Sequence, residues 1–108
     1  MLNQITLIGN LGNDAEVQAD GKLLKLSVAT SNNYKNKAGE WVNSTEWHSV
    51  KLWHDKADEM ASRFTKGSRV LVLGSIATFE TRENYKVTFI KAKSVKSLGP
   101  SKPQGDGW

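Results

Sequence analysis

The sequence predicts an all-β domain: a five-stranded Greek-key barrel with one short α-helix between strands three and four. Three observations carry this. Five segments alternate apolar with small or polar residues at period two, one apolar stripe at helical spacing follows the third of them, and turn-forming residues fill the joins. The chain has 108 residues, enough for one domain and too few for two. A domain this small buries only about two-thirds of its unfolded surface, so self-association is expected.

The first strand is predicted from Ile5 to Leu11 and the second from Leu24 to Thr30, both alternating as half-buried strands do. Gly12 to Lys22, rich in Gly, Asn and Asp, reads as the turn that joins them. Ser31 to Ser44 has few apolar anchors and reads as a long, exposed, mobile loop, with Gly39 suited to a hairpin tip. The third strand spans Glu46 to Trp53. Its alternation sends His48, Val50 and Leu52 inward and Trp47, Ser49, Lys51 and Trp53 outward. Asp55 reads as a helix N-cap, and Ala57, Met60, Ala61 and Phe64 form one stripe that ends at Gly67. Strands four and five, Arg69 to Phe79 and Tyr85 to Val95, flank a turn at Thr81–Asn84, with Gly74 placed for a bulge or a bend. The domain is assigned to residues 1–98. Residues 99–108 are too poor in apolar side chains to fold and are assigned to a flexible tail.

Composition narrows the function classes. Without cysteine there is no disulfide and no thiolate metal site, and His48 and His54 stand without a ligand cluster, so neither metal nor cofactor is expected. No run of about 18 apolar residues occurs, and no basic residue precedes the first apolar stretch, which predicts a cytoplasmic protein with no membrane contact. The formal charge of +4 favours acidic partners without naming one. No phosphate loop is present, and Asp55, Asp58 and Glu59 read as cap and dipole partners of a helix rather than as metal ligands. His48, pointing inward beside Val50, reads as a hydrogen-bonded core residue and not as a base. The prediction is a binding protein and not an enzyme.

The informative constellation is the outward side of the third strand. Trp47 and Trp53 stand there with Ser49 and Lys51 between them, while the aliphatics occupy the other side. Indoles left in water must be covered, by a loop, by another subunit or by a ligand. The bases of a single strand offer flat faces, and each base stacked on a ring gains about 1–3 kcal/mol without regard to its identity. The phosphates then call for cations among the rings, and Lys51 stands between the two indoles. Tyr34 with Lys35 and Lys37, and Tyr85 with Arg82 and Lys86, repeat the aromatic-plus-cation pairing. A solvated surface charge explains each lysine singly; three such pairings on elements able to line one groove point to nucleic acid.

From about Asn3 to Val95 the chain resembles the bacterial-type single-stranded-DNA-binding proteins. The matching pieces are Asn3-x-Ile5-x-Leu7-Ile8-Gly9-Asn10-Leu11-Gly12-x-Asp14-x-Glu16; Thr45-Glu46-Trp47-His48 with Val50 and Trp53; and Lys66-Gly67-Ser68-x-Val70 with Gly74. The resemblance implies the oligonucleotide-binding (OB) fold, a homotetramer, and non-specific binding of single-stranded DNA in replication, recombination and repair. It puts Trp47, Trp53 and Tyr34 at the places of the family's base-stacking aromatics, and Lys56 close to a lysine that meets phosphate. Thr81 stands where the family often has tryptophan, which leaves Phe79 or Tyr85 to substitute. In the family an acidic tail recruits replication and repair proteins; the last ten residues here hold one acid, Asp106, and end in Trp108, so recruitment by that route is not expected. The rival readings are a dimeric primosome-type accessory protein, acting mainly through protein contacts, and a nuclease on a similar barrel.

Overall fold

Alternation decides which side of each strand enters the interior, and the burial pattern follows it. The computed structural model describes residues 1–100. Its strands are β1 (Ile5–Leu11), β2 (Glu16–Gln18), β3 (Leu23–Lys35), β4 (Trp41–Trp53), β5 (Ser68–Glu80) and β6 (Lys86–Pro100). Helix α1 (Ala57–Met60) and a 3-10 turn, Ala61–Arg63, lie between β4 and β5. Leu24, Val28, Val50, Val70 and Val72 are fully buried, and each such side chain contributes about 1.5–3 kcal/mol through burial.

The sheet runs β1-β5-β6-β4-β3-β2 and closes through β1 and β3, so five strands make the barrel and β2 extends β3 at its edge. Two joins are short: β1 meets β3 at Asn10–Ala29 and Leu11–Val28, and β4 meets β6 in parallel at Val50–Ile90 and Lys51–Lys91. Gly9 makes the first join possible, because a Cβ there would collide with the Ala29 carbonyl. Gly74 sits at the register shift of β5 against β6, where a Cβ would strike the Lys91 carbonyl, so the bulge expected there is present.

Several elements of the structure differ from the sequence expectations. The segment from Ser31 to Ser44 is not a mobile loop: β3 and β4 stay paired without slip from Leu23–Trp53 to Lys35–Trp41, and only the turn at residues 36–40 interrupts them. That turn has Gly39 at φ +81° and is closed by the Asn36 carboxamide oxygen, which accepts from the N–H groups of Ala38 and Glu40. The turn assigned to Gly12–Lys22 contains β2, paired with Leu23–Lys25. The helix is shorter than its stripe implies. Ala57 and Phe64 are buried at the core and Met60 and Ala61 pack against it, but the α-helix is four residues long. Asp55 is no cap; Lys56 holds the N-cap position without a side-chain bond, and Asp55 forms a surface ion pair with Lys22 at 3.6 Å. Strand β6 continues to Pro100, past the residue-98 boundary, while residues 101–108, with Asp106 and Trp108, lie outside the described residues.

Among the described residues no helix is long and apolar enough to cross a membrane, and no three histidine or carboxylate side chains gather as metal ligands.

Candidate nucleic-acid interface

Odd-numbered residues of β4 face outward, because the even-numbered Val50 and Leu52 are buried. Trp47 and Trp53 are therefore outside the barrel, 61% and 48% exposed. Trp47 lies over Gly12, where a Cβ would run into the six-membered ring of the indole. That is the physical reason for glycine at position 12: the ring needs a flat floor. His48 faces the other way, half-buried, with its Nε2 2.9 Å from the Thr30 hydroxyl, as a hydrogen-bonded interior residue.

Trp53 begins a row of rings. Its centroid is 6.2 Å from that of Phe89 on β6, and Phe89 is 5.8 Å from Phe79 on β5, both pairs tilted. Lys51 reaches over this row, with its ammonium 4.6 Å from the Phe79 centroid and 4.7 Å from that of Phe89. A cation so placed is held by the ring quadrupoles, at about 0.5–1 kcal/mol for an exposed site, and stays available to an anion. Lys91, which is exposed, pairs with the half-buried Lys51 across the β4–β6 join and adds a second cation. Trp53, Lys51 and Phe79 were expected from the sequence; Phe89 and Lys91 were not. Phe89 sits in the run Val87-Thr88-Phe89-Ile90, where its outward parity with Val87 and Lys91 was the available signal.

The remaining expected residues stand away from this row. Tyr34 pairs with Val42, so it lies on the reverse of the β3–β4 ribbon from Trp47, while Lys35 pairs with Trp41 on the same side as Trp47. Lys37 lies in the exposed turn at the ribbon's end. Tyr85 and Arg82 occupy the exposed β5–β6 turn, held by the Tyr85 N–H donating to the Thr81 hydroxyl and the Thr81 N–H donating to the Tyr85 carbonyl. Lys86 pairs with Glu80, one position out of phase with Phe79 and Val87, and so points to the reverse side. Of the two candidates to replace the family's tryptophan, Phe79 meets the ring row and Tyr85 stands at the tip. Lys56 is exposed at the start of α1, its N–H donating to His54 Nδ1.

Other motif residues act on the scaffold. Asp14 accepts from the Lys66 N–H at 2.8 Å, and Gly67 N–H donates to the Leu11 carbonyl, which ties the end of β1 to the start of β5. The Asn3 carboxamide donates to the Ile76 carbonyl and accepts from its N–H, extending the β1–β5 pairing by one side chain.

Comparison with known proteins agrees with this fold. The chain is 35% identical over 88 residues to the single-stranded DNA-binding proteins of Rickettsia felis and of Rickettsia typhi, a match that covers 77% of this chain and 58% of each relative. The chain thus spans little more than half the length of these relatives. Among solved structures, an SSB of Plasmodium falciparum in complex with ssDNA superposes with a TM-score of 0.76 at 24% identity, covering 91% of this chain and 96% of that one. A deletion mutant of the single-stranded DNA binding protein from Thermus aquaticus gives 0.77 at 22% identity, covering 96% and 52%. Both show the same fold. The profile of the single-strand binding protein family matches residues 2–98, and the chain belongs to that family.

Proposed function

We propose that the protein binds single-stranded DNA with little sequence preference, holding bases on Trp47, Trp53, Phe79 and Phe89 and phosphates on Lys51 and Lys91. Lys35, Lys37, Lys56, Arg82 and Tyr85 are the outlying contacts of the same path, and a strand that wraps past the edge of the ribbon and of the β5–β6 turn meets Tyr34 and Lys86 on the reverse sides. The observation that carries the reading is the Lys51 ammonium poised over two outward-facing rings, beside a third. Rings serve any base, and cations serve any phosphate, so the surface suits a single strand of any sequence. The role is protective and non-enzymatic, in replication, recombination and repair in the cytoplasm, close to the nucleoid.

Assembly belongs to the same proposal. Ile8 pairs with Leu71, and Leu73 is next to them on the outward side of β1 and β5, with Ile8 47% exposed. Such a patch is best covered by a second copy, and the reading is a homotetramer. Native mass spectrometry tests it against four times the 12.0 kDa chain mass; a dimer favours the primosome-type reading.

The direct test is titration with oligothymidylate while tryptophan emission is followed. Stacking quenches the indoles, and log affinity falls with log salt by about 0.7 per phosphate neutralised. Unchanged emission together with no bound oligomer would remove the proposal.

A further inference from the structure

Strand β4 carries a third indole that neither the core nor the ring row uses. Trp41 opens the strand at the far end of the β3–β4 ribbon and is 73% exposed. Positions 41, 47 and 53 are separated by even intervals, and the β3–β4 register has no slip, so the three indoles share one side of the ribbon. At about 3.3 Å per residue, successive indoles stand about 20 Å apart along β4.

What lies between Trp41 and Trp47 on that side decides what can cover it. β4 contributes Asn43 and Thr45, and β3 contributes Asn33 and Lys35, Lys35 directly across from Trp41. These side chains offer hydrogen bonds and positive charge, and no carboxylate interrupts them. Glu46 is on the reverse side, with Tyr34 and Val42. A flat apolar ring beside a cation, in a polar stripe free of acids and continuous with the Trp47 site, suits a polyanion with aromatic faces.

We propose that Trp41 is a further base-stacking site, and that a single strand leaving the barrel continues along this arm with a phosphate on Lys35. The inference rests on the single-strand-binding reading and extends it by one site. It makes affinity depend on oligomer length in a way the barrel alone does not.

The experiment measures affinity for oligothymidylates of increasing length, from about 4 nucleotides to beyond about 16, the span of one OB fold, for the full chain and for Trp41→Ala and Trp41→Phe. Trp41→Ala is expected to match the parent on the shortest oligomers and to lose about 5- to 150-fold on the long ones. Trp41→Phe, which keeps a stacking face, is expected to recover most of that loss, and the parent's quench on long oligomers is expected to exceed that of Trp41→Ala. Equal affinities of parent and Trp41→Ala at every length overturn the proposal, as does a loss of the same size on the shortest oligomers. A changed native mass for Trp41→Ala also overturns it, because the ring is then covered by a second copy. A parent chain that binds no oligomer at all overturns the underlying reading, which a silent Trp41 variant of a binding-competent parent does not.

Discussion

Two outward surfaces of the same barrel solve the problem of exposed apolar side chains differently. On the β4–β6–β5 side the apolar groups are rings, tilted against one another at 5.8 to 6.2 Å with an ammonium over them. On the β1–β5 side they are branched aliphatics, Ile8 in register with Leu71, and Leu73 two positions along the same side of β5. Aliphatic area gains only by exclusion of water and matches another irregular protein surface, whereas rings with a cation gain by facing flat, charged groups. In the proposed reading the first surface meets nucleobases and phosphate and the second a copy of the chain. The shared element is β5, which lends Phe79 to the first and Leu71 and Leu73 to the second.

The comparison is sharpened most by removing both barrel indoles. Trp47→Ala with Trp53→Ala is expected to cost about 2–6 kcal/mol in oligothymidylate binding if each stacked base is worth about 1–3 kcal/mol and the sites add. Isothermal titration measures this, and the native mass should stay that of the parent. Next is Gly74→Ala, whose Cβ meets backbone that cannot step aside at the Lys91 carbonyl. It should lower stability by about 1–3 kcal/mol in a urea melt, and because β5 is common property, binding and assembly should decline together. A decline in only one of them would show that the two surfaces are mechanically independent.

Smaller effects separate charge from stacking. Lys51→Ala should reduce the slope of log affinity against log salt by about 0.7, the share of one phosphate, while leaving most of the indole quench in place. Smallest in its effect on affinity is Ile8→Asp, which puts a charge into the aliphatic surface. Binding of a short oligomer should change by less than about twofold, within the range of an ordinary surface substitution, yet native mass spectrometry should find smaller assemblies. A strong loss of short-oligomer affinity in Ile8→Asp would dissolve the division between the surfaces.

How far the sequence could be read depended on whether a strand had an interior side. Where one side is buried, as at Val50 and Leu52 against Lys51 and Trp53, alternation was plain and the assignment of outward indoles agreed with the structure. The β3–β4 arm stands clear of the barrel, so both its sides meet water and Ser-Asn-Asn-Tyr-Lys carries no period at all. Only the pairing of its two strands reveals it as a ribbon. The same lack of an interior side hid the parity of Tyr34, which sets it on the other side of the ribbon from Trp47. Phe89 was overlooked because Val87, Phe89 and Ile90 crowd one segment, and an apolar run does not tell the eye which member is outside. The helix was overestimated for a different reason: the Ala57–Phe64 stripe reports burial faithfully, but a 3-10 turn can bury such a stripe as well as a longer α-helix does.

The two short joins have a consequence for how the molecule assembles itself. β3 with β4 and β5 with β6 are ribbons of sequence neighbours that can zip from their own turns, whereas the barrel is closed at Asn10–Ala29 and at Val50–Ile90 through only a few bonds each. Joins held by so few bonds have little to oppose local opening and are the first to come undone. Amide protons along these joins should therefore exchange ahead of those in the ribbons, and the barrel should open as two leaves rather than fray strand by strand.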